Sequence, residues 1–350
     1  MKKVLIIITK GDWAGAQRVV YEIAKYIKLN YSDTLELDVA IGIKGPLNEE
    51  LKSIGVRVIE LNNLIWEVSL SSDTKAVREI RRLIEENQYD VVHVHSTKAA
   101  FVGRIAARKA NVKNIIYTVH GWWGIERFSG IKRYMVSRLE KYCAGFTDHM
   151  VFICKRDMSF ALKNKIGPSG AYNLILNDVS IDSTVEPSLR KTFGISDKTT
   201  VIGNIGRLDD TKQPQAFVDI AQEVLKKNKD YFFVWIGSGL VKPVIEPQYK
   251  NKIKFVGFMK NPYPYLRDFD LLLMTSKYEG MPITIIEALK YNIPVLSSNV
   301  GGITEYLPSK NLYMNSNEAI GKILKKNYEK NIVYSDPDMA KKYAELYLNG

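Results

Sequence analysis

At 350 residues and a formal net charge of +12, the chain is long enough for about two domains of 100 to 200 residues, each with its own core. Its two cysteines, Cys143 and Cys154, sit beside apolar or aromatic neighbours, which points to reduced thiols in a cytosol rather than a disulfide framework and argues against a metal site. No apolar stretch approaches the roughly 18 to 20 residues that span a bilayer, so any membrane role is peripheral.

The chain opens on Met1-Lys2-Lys3-Val4-Leu5-Ile6-Ile7-Ile8. Its apolar core is shorter than the about 7 to 15 residues of a signal peptide and reads as a buried first strand. Short apolar runs then alternate with helical patterns, the signature of βαβ units and parallel sheets covered on both faces. Residues 4–8, 36–41, 56–61, 91–95, 115–119, 150–153 and 172–176 read as strands of one sheet. Residues 201–205, 231–236, 253–256, 271–274, 295–297 and 311–313 read as a second. Between them, 177–198 is polar, carries Pro187 and reads as a linker. At the end, 336–348 begins with Asp-Pro and spaces Met339, Tyr343, Leu346 and Tyr347 helically.

Ligands of open α/β sheets bind outside the carboxyl ends of the strands, so chemistry is expected in a cleft between two such domains. Gly11-Asp12-Trp13-Ala14-Gly15-Ala16-Gln17 joins the first strand to a helix starting near Gly15, whose N–H groups and dipole favour phosphate. His93 and His95, on a strand, read as structural. His120 stands at a strand terminus before Trp122-Trp123, where an imidazole could hydrogen-bond a ligand. From 97 to 165 there are 14 Lys or Arg against 4 Asp or Glu, ten of the formal +12. There Trp122, Trp123, Ile125 and Phe128 interleave with Arg127, Lys132 and Arg133, which suits an anionic membrane surface; no nucleic-acid motif accompanies the patch. Arg207 and Lys212, following 201–205, could reach a diphosphate as fork and point charge. Gly237 and Gly239 allow close backbone approach. Gly301-Gly302-Ile303-Thr304-Glu305 offers N–H groups at a helix start. Asp209-Asp210 reads as a solvated turn, so no metal is expected.

The most informative stretch is Glu279-Gly280-Met281-Pro282-Ile283-Thr284-Ile285-Ile286-Glu287. It places Glu279 at a strand-to-helix turn and Glu287 two turns into the helix, roughly 12 Å apart at 1.5 Å per residue. That spacing suits a ligand with two hydroxylated rings, such as a nucleotide sugar, and fits equally an ordinary βα unit with solvated glutamates.

The segment resembles the E-x7-E signature of the retaining GT-B glycosyltransferases of family 4. Gly206-Arg207-Leu208 with Lys212, Gly237-Ser238-Gly239, and Gly301-Gly302 with Glu305 resemble three further motifs of that family in the same order. The run from His93-Val94-His95-Ser96 to Thr118-Val119-His120-Gly121-Trp122 resembles its bacterial capsule and exopolysaccharide branch. Ala14, Gln17 and Asn177-Asp178 depart from the family pattern.

The resemblance implies a GT-B fold, an α/β architecture of two Rossmann-like domains. An acceptor-side domain would span 1–180 and a nucleotide-sugar domain 181–335, with 336–350 returning to the first. It implies a metal-independent hexosyltransferase with no cofactor, using a UDP-sugar as donor and a lipid-diphosphate-linked saccharide as acceptor at the inner face of the cell membrane. Catalytic positions would be His120, Arg207, Lys212 and Glu279. Donor contacts would come from Gly15, Gly206, Gly237, Gly239, Met281, Pro282, Ile283 and Glu287, and acceptor or membrane contacts from Trp122, Trp123, Arg127, Lys132 and Arg133. A UDP-sugar epimerase and a non-catalytic nucleotide-sugar-binding subunit of a polysaccharide assembly complex are the alternatives.

Overall fold

The structure, a computed structural model, describes residues 1–181, 189–259, 261–334 and 336–349. Pro187 of the expected linker lies outside them. The chain forms two compact units, Met1–Asp178 with Asp336–Gly350, and Val179–Ser335.

Unit 1 holds seven parallel strands: β1 (Lys2–Lys10), β2 (Leu35–Ile43), β3 (Arg57–Glu60), β4 (Val91–His95), β5 (Asn114–Val119), β6 (His149–Phe152) and β7 (Tyr172–Leu174). Their order is β3-β2-β1-β4-β5-β6-β7. Among its described residues unit 2 holds six: β8 (Thr200–Ile205), β9 (Tyr231–Ile236), β10 (Ile253–Phe255), β11 (Leu271–Met274), β12 (Val295–Ser298) and β13 (Leu312–Tyr313), in the order β10-β9-β8-β11-β12-β13. Each expected strand is present, and no boundary moves by more than two residues. The reason is burial on both faces: Val4 to Ile8 and Leu271 to Met274 expose nothing, so central parallel strands read as unbroken apolar runs.

In each sheet the strand order reverses once, between β1 and β4 and between β8 and β11. These switch points leave a gap between diverging loops at the carboxyl ends, where ligands of such sheets bind.

The last helix, Met339–Asn349, packs in unit 1. Tyr343 and Tyr347 are fully buried. The Tyr347 hydroxyl meets His93 Nδ1 at 2.6 Å, His93 Nε2 meets Thr118 Oγ1 at 2.8 Å, and Tyr343 bonds the same threonine at 3.0 Å. The expected linker is part of unit 2 at its far end: the helix Leu189–Phe193 buries Leu189, whose N–H donates to Asp268 at 2.8 Å.

One ion pair deep in unit 1 was not foreseen. Arg104, on the helix Thr97–Lys109, meets Glu140, on the helix Gly130–Ala144, through Nη1–Oε1 at 2.9 Å and Nη2–Oε2 at 3.0 Å, with 0% and 2% of the side chains exposed. The guanidinium also lies 4.4 Å from the Tyr117 ring centre. Removing one partner of such a pair strands a charge in the core. We expect Glu140→Ala to cost about 3–5 kcal/mol in urea unfolding of the intact chain. Glu85→Ala, in an exposed pair with Arg81, should cost about 0.5 kcal/mol or less. Equal losses would contradict this ranking.

Candidate functional site

The carboxyl ends of β8, β9, β11 and β12 build one constellation in unit 2. Past β8, the Gly206 N–H donates to Ile236 O (3.0 Å) and the Trp235 indole donates to Gly206 O (2.8 Å), tying the β8 loop to β9. Gly237 has φ 137°, and a Cβ there would run into the Gly206 carbonyl, so the close approach requires glycine. Gly239 lies beside Leu208, and the Leu208 N–H donates to Ser238 O at 3.0 Å.

Arg207 is largely exposed and pairs with Asp209 at 3.1 Å. Asp209 Oδ1 also accepts from the N–H groups of Thr211 and Lys212, each at 3.0 Å. The aspartate expected in a solvated turn is therefore the side chain that shapes the turn carrying Lys212. Lys212 crosses the switch point: its Nζ lies 2.5 Å from Glu279 Oε1, with side-chain exposures of 17% and 11%. Ser276 donates to the same oxygen at 2.6 Å. Thr275, also just past β11, donates to Lys212 O at 2.9 Å, and Lys277 N–H donates to Thr211 O at 2.8 Å.

The β12 loop closes the constellation. Ser298 donates to Ser276 O (2.6 Å) and Gly302 N–H to Glu279 O (3.0 Å). Gly301 has φ 57°, and any Cβ would collide with the Glu279 carbonyl. At least one N–H expected to await an anion is thus spent on Glu279. Among the described residues no hydrogen bond engages Glu279 Oε2, which leaves that acceptor for a ligand hydroxyl.

Glu287 corrects the expectation that it sits two turns into its helix. The helix starts only at Ile283, so Glu287 is its fifth residue, just over one turn in, and it is fully buried. Ile283, Ile285, Ile286, Ala288 and Leu289 are buried too, so the helix has little solvated face. Met281, Pro282 and Ile283 are likewise buried.

In unit 1, Gly15 is exposed and opens the helix Gly15–Asn30 after Ala14, which supplies no side-chain cap. Gln17 turns inward and donates to Lys10 O at 3.0 Å. At the switch point Thr9 Oγ1 and Ser96 Oγ lie 2.7 Å apart. His120 Nε2 bonds His95 Nδ1 at 2.9 Å, and the His93 and His95 rings stack tilted at 4.1 Å. Burial holds His93 and His95 well below the usual imidazole range, with neighbouring imidazoles adding to the effect, and it pushes His120 down to about 4. Near neutral pH His120 is therefore an uncharged hydrogen-bonding group.

Trp122 also departs from expectation. It is 3% exposed and its indole donates to Asp157 O at 2.8 Å, a core role. The Trp123 side chain lies outside the described set. Arg127, Lys132 and Arg133 are exposed. Among the described residues, no group of three or more His, Cys, Asp or Glu is placed to hold a metal ion. No described helix is long and apolar enough to cross a membrane. Sequence reasoning missed Thr275 and Ser276; the available signal was two hydroxyl residues directly after an apolar strand.

Two parallel-sheet units with polar groups gathered at strand carboxyl ends define a GT-B architecture. Residues 185–345 match the family described as Glycosyl transferases group 1, and residues 13–160 match Glycosyltransferase Family 4. The chain belongs to the GT-B glycosyltransferases of family 4, enzymes that transfer sugars. It is 27% identical over 307 residues to the Escherichia coli UDP-Gal:alpha-D-GlcNAc-diphosphoundecaprenol alpha-1,3-galactosyltransferase, covering 83% of this chain and 77% of that one. It is 27% identical over 332 residues to the E. coli O-antigen biosynthesis glycosyltransferase WbnH, covering 94% and 91%. The crystal structure of Anabaena HepE in complex with UDP and glucose superposes with a TM-score of 0.77 at 19% identity over 100% of both chains, a likeness of fold.

The buried histidines carry a pH signature. A depressed imidazole contributes stability fully above its unfolded value near 6.5 and loses it as pH falls toward the folded value. Urea midpoints should fall as pH drops from about 6.5 to 4, and His120→Gln should flatten that slope. An unchanged slope in the variant would show that His120 protonates as freely folded as unfolded.

Proposed function

We propose that the enzyme transfers a sugar from a UDP-sugar to a lipid-diphosphate-linked saccharide of the cell envelope, with retention of anomeric configuration and without a metal, at the cytoplasmic membrane face. The observation carrying this reading is the Lys212–Glu279 pair at the β8/β11 switch point beside exposed Arg207. A lysine ammonium has three donors. With one on Glu279, the others can take phosphate oxygens, and Arg207 adds a planar fork.

As the C1–O bond of the donor breaks, its electron pair moves to the diphosphate and the sugar becomes oxocarbenium-like. Cations fixed beside the phosphate then stabilise the transition state more than the ground state. The acceptor hydroxyl attacks from the departing face, and its proton passes to the leaving phosphate. Glu279, with Oε2 available, takes a donor-sugar hydroxyl, and His120 offers a neutral hydrogen bond to the sugar or leaving group. The names of the relatives support the substrate classes: one uses UDP-Gal on a diphosphoundecaprenol-linked sugar, and HepE was crystallised with UDP.

Arg207→Ala and Lys212→Ala should each lower kcat and kcat/KM together by about 10² or more, because the contacts matter most when charge develops. EDTA should leave turnover intact. Assays with a panel of UDP-sugars and a lipid-diphosphate-linked acceptor, with product analysis, decide the matter. A new glycosidic bond supports the reading, whereas an epimerised free donor, or wild-type turnover by both variants, overturns it.

A further inference from the structure

The helix Gly130–Ala144 has its apolar stripe on the outside. At about 100° per residue, Ile131, Tyr134, Met135, Leu139 and Tyr142 fall on one side, and Glu140, Cys143 and Ala144 fall opposite, in the core. The outward five are 69%, 61%, 63%, 41% and 66% exposed. Single exposed apolar residues occur on any surface, but five on one face of one helix form an unpartnered patch.

The charges on this helix say what covers it. Lys132, Arg133, Arg138 and Lys141 are exposed, while its sole acid, Glu140, is turned inward onto Arg104. The charges that this helix exposes are therefore all positive, beside an apolar stripe. A second copy bringing the same face would oppose like charges across an apolar seam, which is unfavourable. An anionic bilayer satisfies both features: headgroups neutralise the cations while the apolar side chains enter the headgroup–acyl boundary. Tyr134 and Tyr142 suit such a boundary because each joins an apolar ring to a polar hydroxyl, and Lys132 and Lys141 can extend from the edges toward headgroups.

We propose that the outer face of the helix Gly130–Ala144 is an interfacial membrane-binding surface that inserts Ile131, Met135 and Leu139 into an anionic leaflet. It deepens the reading of a lipid-linked acceptor and replaces the buried Trp122 as the apolar element of membrane contact.

The test is co-sedimentation of the full chain with phosphatidylcholine vesicles and with vesicles carrying about 30% phosphatidylglycerol, at low and high salt. Expected are at least about tenfold tighter binding to the anionic vesicles, weakened by salt, and a loss of about tenfold or more in the triple variant Ile131→Ser, Met135→Ser, Leu139→Ser. The triple variant should keep its urea midpoint and its turnover on a water-soluble acceptor. Wild-type binding by that variant, no preference for anionic vesicles, or a dimer in sedimentation that the three serines abolish would each overturn the proposal. Vesicle binding that depends on the stripe, without transfer to any lipid-linked acceptor, would instead sink the proposed acceptor and leave the surface standing.

Discussion

The ion pair between Lys212 and Glu279 is the contact on which the constellation in unit 2 depends. The two residues are 67 positions apart and come together because β8 and β11, neighbours in the sheet, lead their loops in opposite directions. A mostly buried pair offsets its desolvation only if the remaining lone pairs and protons are satisfied. Ser276 supplies one such bond, to the shared Glu279 oxygen, and Asp209 fixes the backbone of the Lys212 turn, while Glu279 Oε2 is left for a ligand. The tight backbone approaches at Gly237 and Gly301 are geometric conditions of the same pair, since side chains there would push apart the loops that carry it.

Much of the fold was legible because a parallel sheet covered on both faces leaves a plain trace, an apolar run of four to eight residues between helical patterns. Tyr231–Ile236 and Leu271–Met274 show the strand bounds coinciding with the run. The motifs after β8, β9, β11 and β12 were legible as separate glycine and charge patterns. Their joining was not, because it is made by hydrogen bonds such as Thr275 to Lys212 O that leave no periodic signal. The burial of Glu287 and of Trp122 escaped the sequence for one shared reason. Local sequence does not reveal whether a polar atom in an apolar stretch reaches water or finds a partner inside, and the Trp122 indole finds Asp157 O.

The histidines of unit 1 illustrate long-range satisfaction of strand-end polarity. His93 is bonded through both ring nitrogens, one of them to Tyr347 from the far end of the chain. That explains why a histidine can sit fully buried on a central strand: the helix Met339–Asn349 brings the hydroxyl that the sheet lacks. His95 differs, since its hydrogen bond goes to His120 and its Nε2 is buried without a hydrogen-bond partner. A bare lone pair is better tolerated there than an orphaned N–H. The network thus assigns the His95 proton to Nδ1, makes His120 Nε2 the acceptor, and leaves the His120 proton on Nδ1. The bond to His95 fixes this partly buried imidazole as a neutral donor in a defined tautomer, a more specific role than a strand-end histidine announces.

Composition alone overstates what the basic stretch can offer a surface. Of its fourteen cations, Arg104 is consumed by Glu140 in the core, Lys98 is bonded to Asp73, and Arg156 is shared between Glu126 and Asp157. Three of the four acids in the stretch are engaged in these same pairs. The charge that remains outward is thereby more uniformly positive than the sequence ratio suggests. On the helix Gly130–Ala144 the effect is complete, because the Arg104–Glu140 pair both anchors the inner face and removes the one negative charge from the outer. One buried contact therefore fixes the orientation of the helix and the sign of the field it presents.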